Sequence, residues 1–141
     1  MTIGHRGAKG HEPENTIASF EKAIKLGCDY VELDVHLADD ELFVIHDFSV
    51  DRTTNGSGKI AELTREQIES LDAGNGQKIP KLSEVLALIN GRCGVNIELK
   101  GAGTAGPVSA LLNTLLNRSL LSSPILISSF DYRELDEVDK K

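Results

Sequence analysis

MTIGHRGAKGHEPENT (residues 1–16) and VELDVHLADDELFVIHD (residues 31–47) are the two stretches whose reading decides the fold. A short apolar run at Ile3-Gly4 ends in His5-Arg6. Residues 30–37 alternate with period two: Val31, Leu33, Val35 and Leu37 face one way, and Glu32, Asp34 and His36 the other. Asp39-Asp40 is a turn, and residues 42–45 form a third apolar run that closes on His46-Asp47. So short a connection allows only an antiparallel hairpin, which folds His46 back roughly opposite Asp34.

Between these runs, Pro13-Glu14-Asn15-Thr16 reads as a helix entry with Asn15 or Thr16 as N-cap. Ile17, Phe20 and Ile24 follow at helical spacing, and Gly27 ends the helix in a left-handed cap. Beyond Asp47, residues 48–81 read as a loop-rich insertion holding Arg52-Thr53-Thr54-Asn55-Gly56-Ser57-Gly58, then a short helix opened by the capping box Thr64-x-x-Gln67. Excursions of this length inside a domain are usually functional. Ser83 is expected to cap a helix carrying Val85, Leu86, Leu88 and Ile89 and ended by Gly91. Residues 95–99 make a strand with Asn96, Glu98 and Lys100 on one side. Pro107 starts a Leu-rich helix, residues 124–129 form a further strand, and Asp131-x-x-Glu134 caps a last charged helix.

With the hairpin's return strand set aside, the runs near Ile3, Leu33, Ile97 and Ile127 are separated by helix-bearing crossovers, which implies a parallel sheet. Their polar residues gather at or beside the carboxyl ends of the strands, the active face of α/β barrels and open α/β sheets. A closed (β/α)8 barrel needs roughly 200 residues or more, so the 141 residues here correspond to a partial TIM-type barrel of about four βα units, one domain over residues 1–141.

Composition narrows the function. The chain is 40% hydrophobic and 26% charged, ordinary for a soluble globular domain. No apolar run nears the ~18 residues that span a bilayer and no leader pattern is visible, so no stable membrane insertion and a cytoplasmic location are expected. Cys28 and Cys93 lack metal-type spacing and read as buried reduced thiols. A net charge of −7 with no basic stripe argues against nucleic acid. An anionic substrate must then be attracted by local cations or a metal.

The order and spacing of His5-Arg6-Gly7-Ala8, Pro13-Glu14-Asn15-Thr16, Glu32-Leu33-Asp34-Val35, His46-Asp47, Arg52-Thr53-Thr54-Asn55-Gly56, Glu98-Leu99-Lys100 and Ser129-Phe130 resemble the glycerophosphodiester phosphodiesterases. The resemblance covers nearly the whole chain but only the N-terminal half of that family's barrel, and a Trp-bearing later strand of the family has no counterpart. The family's usual glycine before the His-Asp strand is absent from Asp39-Asp40-Glu41, read as a local turn difference. What the resemblance implies is hydrolysis of small glycerophosphodiesters to glycerol 3-phosphate and an alcohol, with a divalent cation, Mg²⁺ or Ca²⁺, as cofactor.

Three carboxylates, Glu32, Asp34 and Glu98, converging from neighbouring strands would repel unless a hard dication sat between them, and oxygen-only ligation favours Mg²⁺ or Ca²⁺ over zinc. The plainer alternative is that Glu32 and Asp34 are the solvated face of an edge strand; the resemblance favours the metal. His5 and His46 are the candidate acid–base pair, with base and acid unassigned. The family's chemistry suggests in-line attack, by the substrate's own 2-hydroxyl through a cyclic phosphate. Arg6 and Lys100 are candidate phosphate-binding cations, though Lys100 also suits the role of neutralising Glu98. Asp47 is expected to orient His46, and Glu14 and Asn15 to be structural first. His36 is left out of the site as lying beyond the strand's end, and His11 is placed in an exposed loop. Residues 52–58 are a candidate cover for the glycerol moiety. Two alternatives stay open: a phospholipase-D-like enzyme of lysophospholipids, disfavoured by the polar loops at 52–58 and 101–106, and a truncated or partner-dependent half-barrel. A homodimer completing the sheet is one form of the latter.

Overall fold

The computed structural model describes residues 2–119 and 121–129. Phe130 and the helix expected from Asp131 lie outside them. Among the described residues five strands form one sheet, β1 (Ile3–His5), β2 (Tyr30–Ala38), β3 (Glu41–Val44), β4 (Gly94–Leu99) and β5 (Ile125–Ser129). The order is β1-β2-β4-β5, all parallel, with β3 antiparallel to β2 as the return arm of a hairpin. Helices α1 (Ile17–Lys25), α3 (Leu82–Ile89) and α4 (Ala105–Asn117) supply the crossovers, and α2 (Arg65–Glu69) lies in the excursion.

One face of the sheet packs on the helices. Val31, Leu33, Val35, Val95, Ile97 and Leu99 are buried against Phe20, Val85, Ile89 and Val108. Each such side chain removed from water stabilises the fold by about 1.5–3 kcal/mol. The opposite face carries Glu32, Asp34 and His36 of β2 beside Asn96 and Glu98 of β4. In register, Glu32 pairs with Asn96 and Asp34 with Glu98. The period-two alternation thus places every carboxylate of the pattern on the side away from the helices.

Local chemistry sets the ends of the elements. Thr16 is the N-cap of α1, its hydroxyl accepting from the Ser19 amide at 3.2 Å, while Asn15 is left-handed with φ 55°. Gly27 terminates α1 at φ 83°. The capping box of Thr64 and Gln67 opens α2. For α3 the expectation of Ser83 as cap is corrected. The helix begins at Leu82 after Lys81, and Glu84 folds back to accept from the Lys81 amide at 2.9 Å. That start buries Leu82, which a cap at Ser83 would leave outside the helix. Likewise Asn90, at φ 37°, is the left-handed C-cap ahead of Gly91. Helix α4 starts two residues before Pro107, which falls in the first turn where no amide partner is needed.

The hairpin turn explains the missing glycine. Asp39 and Asp40 both take positive φ, 49° and 59°, a conformation glycine adopts freely. Arg65 compensates. Its amide donates to Asp39 Oδ2 at 2.9 Å and its guanidinium to the Asp39 and Asp40 carbonyls at 2.7 and 3.2 Å. The excursion also has a core of its own, in which Val50, Ile60, Ile68, Ala73 and Ile79 gather around Phe43 and Ile45 of the hairpin arm. No helix among the described residues is long and apolar enough to cross a membrane.

Candidate metal and phosphate site

β1 ends at His5, and the chain then turns through Arg6 at φ 54° and Gly7 at φ 78°. A Cβ at Gly7 would collide with the Ser19 hydroxyl, so only glycine lets the loop close on α1. The turn brings the Arg6 amide to Glu32 Oε2 at 3.1 Å, while His5 Nε2 lies 3.3 Å from that same oxygen. Asp34, fully buried one pleat further along β2, accepts from the Asn15 side-chain amide at 3.0 Å. Arg6 Nε stands 3.7 Å from the same Asp34 oxygen. On β4, Glu98 pairs with Lys100 Nζ at 3.4 Å.

Glu32, Asp34 and Glu98 each present an oxygen within 4.8 Å of the other two. Glu32 Oε1 and Asp34 Oδ1 are buried without a hydrogen-bond partner. Burial, and then the Asp34 charge, push the Glu32 pKa up to about 8, with Glu98 adding to the effect. Unpartnered buried carboxylate oxygens are costly, and three carboxylates so close repel one another unless protons or a cation offset their charge. Hard oxygen donors at such separations fit one dication bound at 2.0–2.6 Å from each oxygen. The residues present therefore fit a divalent ion.

His46 follows β3. The Ile45 amide donates to the Asp34 carbonyl at 3.0 Å, which sets Ile45 opposite Asp34 and His46 one residue beyond. His46 Nδ1 and Asp47 Oδ1 are 2.8 Å apart. The two candidate histidines share one rim. Burial first, then Lys9 and Arg6, lower the His5 pKa, and the His46 charge acts in the same direction.

His36 requires a correction. It lies within β2, 2% exposed, because the strand continues to Ala38. Its Nε2 is 3.1 Å from the His46 carbonyl, and its ring meets Phe48 edge-on with centroids 4.9 Å apart. Burial lowers its pKa, as suits a neutral ring that braces the turn after β3.

Two further side chains join the rim. Asn15 reaches Asp34, and its own Oδ1 is buried without a partner. Arg52 crosses from the excursion to bind Glu14 with Nη1 and Nη2, both at 2.9 Å, and Asp47 with Nε and Nη2 at 2.8 and 3.0 Å. Glu14 in turn receives Arg6 Nη1 at 3.2 and 3.3 Å. The one sequence signal for Arg52 is its place in the Arg-Thr-Thr-Asn-Gly run, which does not reveal a partner 38 residues away.

A parallel sheet with crossover helices on one face and, on the other, an acidic cluster level with the carboxyl ends of β1 and β4 defines part of a (β/α) barrel. A model of the glycerophosphoryl diester phosphodiesterase family matches residues 5–141, and the chain belongs to that family. It is 42% identical, over 99% of its own length, to the glycerophosphodiester phosphodiesterase of Caldanaerobacter subterraneus, and covers 62% of that protein. The fold superposes on the crystal structure of glycerophosphodiester phosphodiesterase from Agrobacterium tumefaciens with TM-score 0.87 and 37% identity, covering 99% of this chain and 63% of that one. An Oleispira antarctica phosphodiesterase, solved in complex with the product sn-glycerol-3-phosphate, gives TM-score 0.88 and 34% identity over 98% and 60% of the respective chains. The chain spans 55–62% of the length of the bacterial glycerophosphodiesterases that it matches over nearly all of its own length.

Proposed function

We propose that this chain carries the reacting half of a metal-dependent glycerophosphodiesterase, cleaving glycerophosphodiesters to glycerol 3-phosphate and an alcohol. The observation that carries the reading is the convergence of Glu32, Asp34 and Glu98, two with buried unpartnered oxygens, beside His5 and Arg6. In this reading residues 1–141 are one domain, with residues 48–81 inserted in it. Glu32, Asp34 and Glu98 would hold Mg²⁺ or Ca²⁺. Such an ion, when bound, offsets charge on the non-bridging phosphate oxygens.

The chain's own groups do the rest. Arg6, backed by Glu14, and Lys100, beside Glu98, present cations to the phosphate and add to the stabilisation of its developing charge. One imidazole of the His5–His46 pair takes the proton from the attacking oxygen, and the other gives a proton to the leaving alcohol as its bond to phosphorus breaks. Loss of either imidazole is expected to lower turnover by about 10²–10⁴-fold. The test is glycerol 3-phosphate release from glycerophosphocholine by the 141-residue chain, with Mg²⁺ or Ca²⁺, with chelator, and with His5→Ala. Turnover that survives both chelator and His5→Ala would sink the reading.

A second reading rests on the sheet edges. Among the described residues β1 and β5 each have one strand neighbour, and Ile3 and Leu126 are each 52% exposed. A homodimer that completes the sheet would cover such edges. Sedimentation decides it: a folded, active monomer excludes obligate pairing.

A further inference from the structure

Outside the carboxylate cluster, the densest set of charged hydrogen bonds at the rim runs His46–Asp47–Arg52–Glu14–Arg6. Arg52 is its centre. Four hydrogen bonds of 2.8–3.0 Å leave one guanidinium for two carboxylates, a pair on each edge of the fork. The backbone beneath it is fixed: the Val50 amide donates to the Gly58 carbonyl at 3.0 Å, and the Thr54 amide and hydroxyl both donate to the Val50 carbonyl, at 3.1 and 2.6 Å. The Gly58 amide also bonds Asp51 at 3.0 Å. A half-exposed side chain is thus mounted on a rigid loop.

We propose that Arg52 is a positioning residue, a strut from the insertion that sets His46 through Asp47 and Arg6 through Glu14. The inference rests on the acid–base role given to His46 above. Both Asp47 oxygens accept from Arg52, and Oδ1 also faces His46 Nδ1 at 2.8 Å. An ionised carboxylate has no proton to give, so Nδ1 must carry the hydrogen and Nε2 is left with its lone pair. The His46 carbonyl is meanwhile held by His36, so the ring's remaining freedom is the rotation that Asp47 blocks. At the other end, Glu14 is bridged between Arg52 and Arg6, which fixes Arg6 beside Asp34. The Arg52 hydrogen bonds hold Asp47 well below the usual carboxylate range; at Glu14 burial pushes upward, but Arg52 and Arg6 together outweigh it and lower that carboxyl as well, so both carboxylates stay ionised at neutral pH. Lysine cannot substitute: its three donors on one nitrogen cannot form two parallel pairs.

The experiment is a long-range ¹H–¹⁵N spectrum of the histidine rings in the full chain, metal-free and at a pH where the rings are neutral. The wild type is expected to show His46 as the Nδ1–H tautomer. Arg52→Gln and Arg52→Lys are expected to shift it to a mixture with Nε2–H, while Arg92→Gln, which breaks the remote Arg92–Glu21 pair, leaves it unchanged. A wild-type Nε2–H tautomer overturns the proposal whatever the variants do, and so does an unchanged His46 in a folded Arg52→Lys. With Mg²⁺ or Ca²⁺ bound, kcat is expected to fall roughly tenfold or more in both variants. If the wild-type chain turns over nothing, the functional reading fails, and the tautomer still decides the role of Arg52.

Discussion

Two groups of acids share the same rim and are treated in opposite ways. Glu14 and Asp47 are saturated by arginine and held ionised. Glu32 and Asp34 are more deeply buried, receive the Arg6 amide and the Asn15 amide, and keep one oxygen each without any partner. Burial alone does not distinguish them, since Arg6 and Lys100 stand beside Asp34 and Glu98 and still leave Glu32 Oε1 and Asp34 Oδ1 unpartnered. The difference teaches where the fold completes its own charge balance and where it leaves room for a charge from outside. The saturated group is framework; the unsaturated one is a binding site.

The largest test of that contrast is a dication. Without metal, Glu32 is destabilising when ionised. Its folded pKa, raised to about 8, stands above the ordinary 4.5, so the native state holds the proton longer than the unfolded chain. Stability of the metal-free chain should therefore be full below about pH 4.5 as regards this group, and decline as pH rises toward 8. Mg²⁺ or Ca²⁺ at a hundred times its dissociation constant should restore about 2.7 kcal/mol. Thermal unfolding at pH 8 with and without chelator reads this directly. Glu32→Gln should flatten the metal-free pH profile and abolish the gain from metal. A melting temperature indifferent to both ions would erase the distinction between the two groups.

Asn15 gives the next largest effect. Its side-chain amide is the donor to fully buried Asp34, and its backbone is left-handed, where asparagine is tolerated better than alanine. Asn15→Ala should cost about 1–3 kcal/mol in the metal-free chain, because Asp34 loses a hydrogen bond it cannot replace with water. Denaturant unfolding measures it. Bound dication should reduce that cost, since the metal compensates Asp34, and an equal cost in both states would place Asn15 in the framework alone.

Much of this was legible in the residues. The alternation of 30–37 put Glu32 and Asp34 on the face away from the helices, the two-residue turn forced the hairpin, and helix-bearing crossovers forced parallel pairing with β4. These follow from periods and connection lengths, which are local or nearly so. What escaped depends on reach across the chain. His36 belongs inside β2 because the strand's end is set by hydrogen bonds to β3 and not by apolar pattern, and β2 continues to Ala38. Lys81 displaced Ser83 as cap because Glu84 provides the return bond and Leu82 needs burial. Arg52 bridges Asp47 and Glu14 at sequence separations of 5 and 38, and no spacing rule links an insertion to a helix entry.

The smallest expected effect is on the saturated side. Asp47 and Glu14 have folded pKa values below their ordinary 3.8 and 4.5, so the unfolded chain takes up protons first as pH falls. Their contribution is present in full above about pH 4.5 and is lost as pH drops through the lower folded values, the reverse of the Glu32 profile. Arg52 is half exposed, so solvent and salt screen the pairs, and their joint worth to stability should stay below about 1 kcal/mol. Arg52→Gln should therefore shift neutral-pH unfolding slightly, with the shift shrinking in high salt and as the pH falls through the lowered folded values. A loss of several kcal/mol at neutral pH would mean that the arginine holds the excursion onto the sheet. A small loss in stability beside a large loss in kcat is the signature of a strut that spends its hydrogen bonds on orientation.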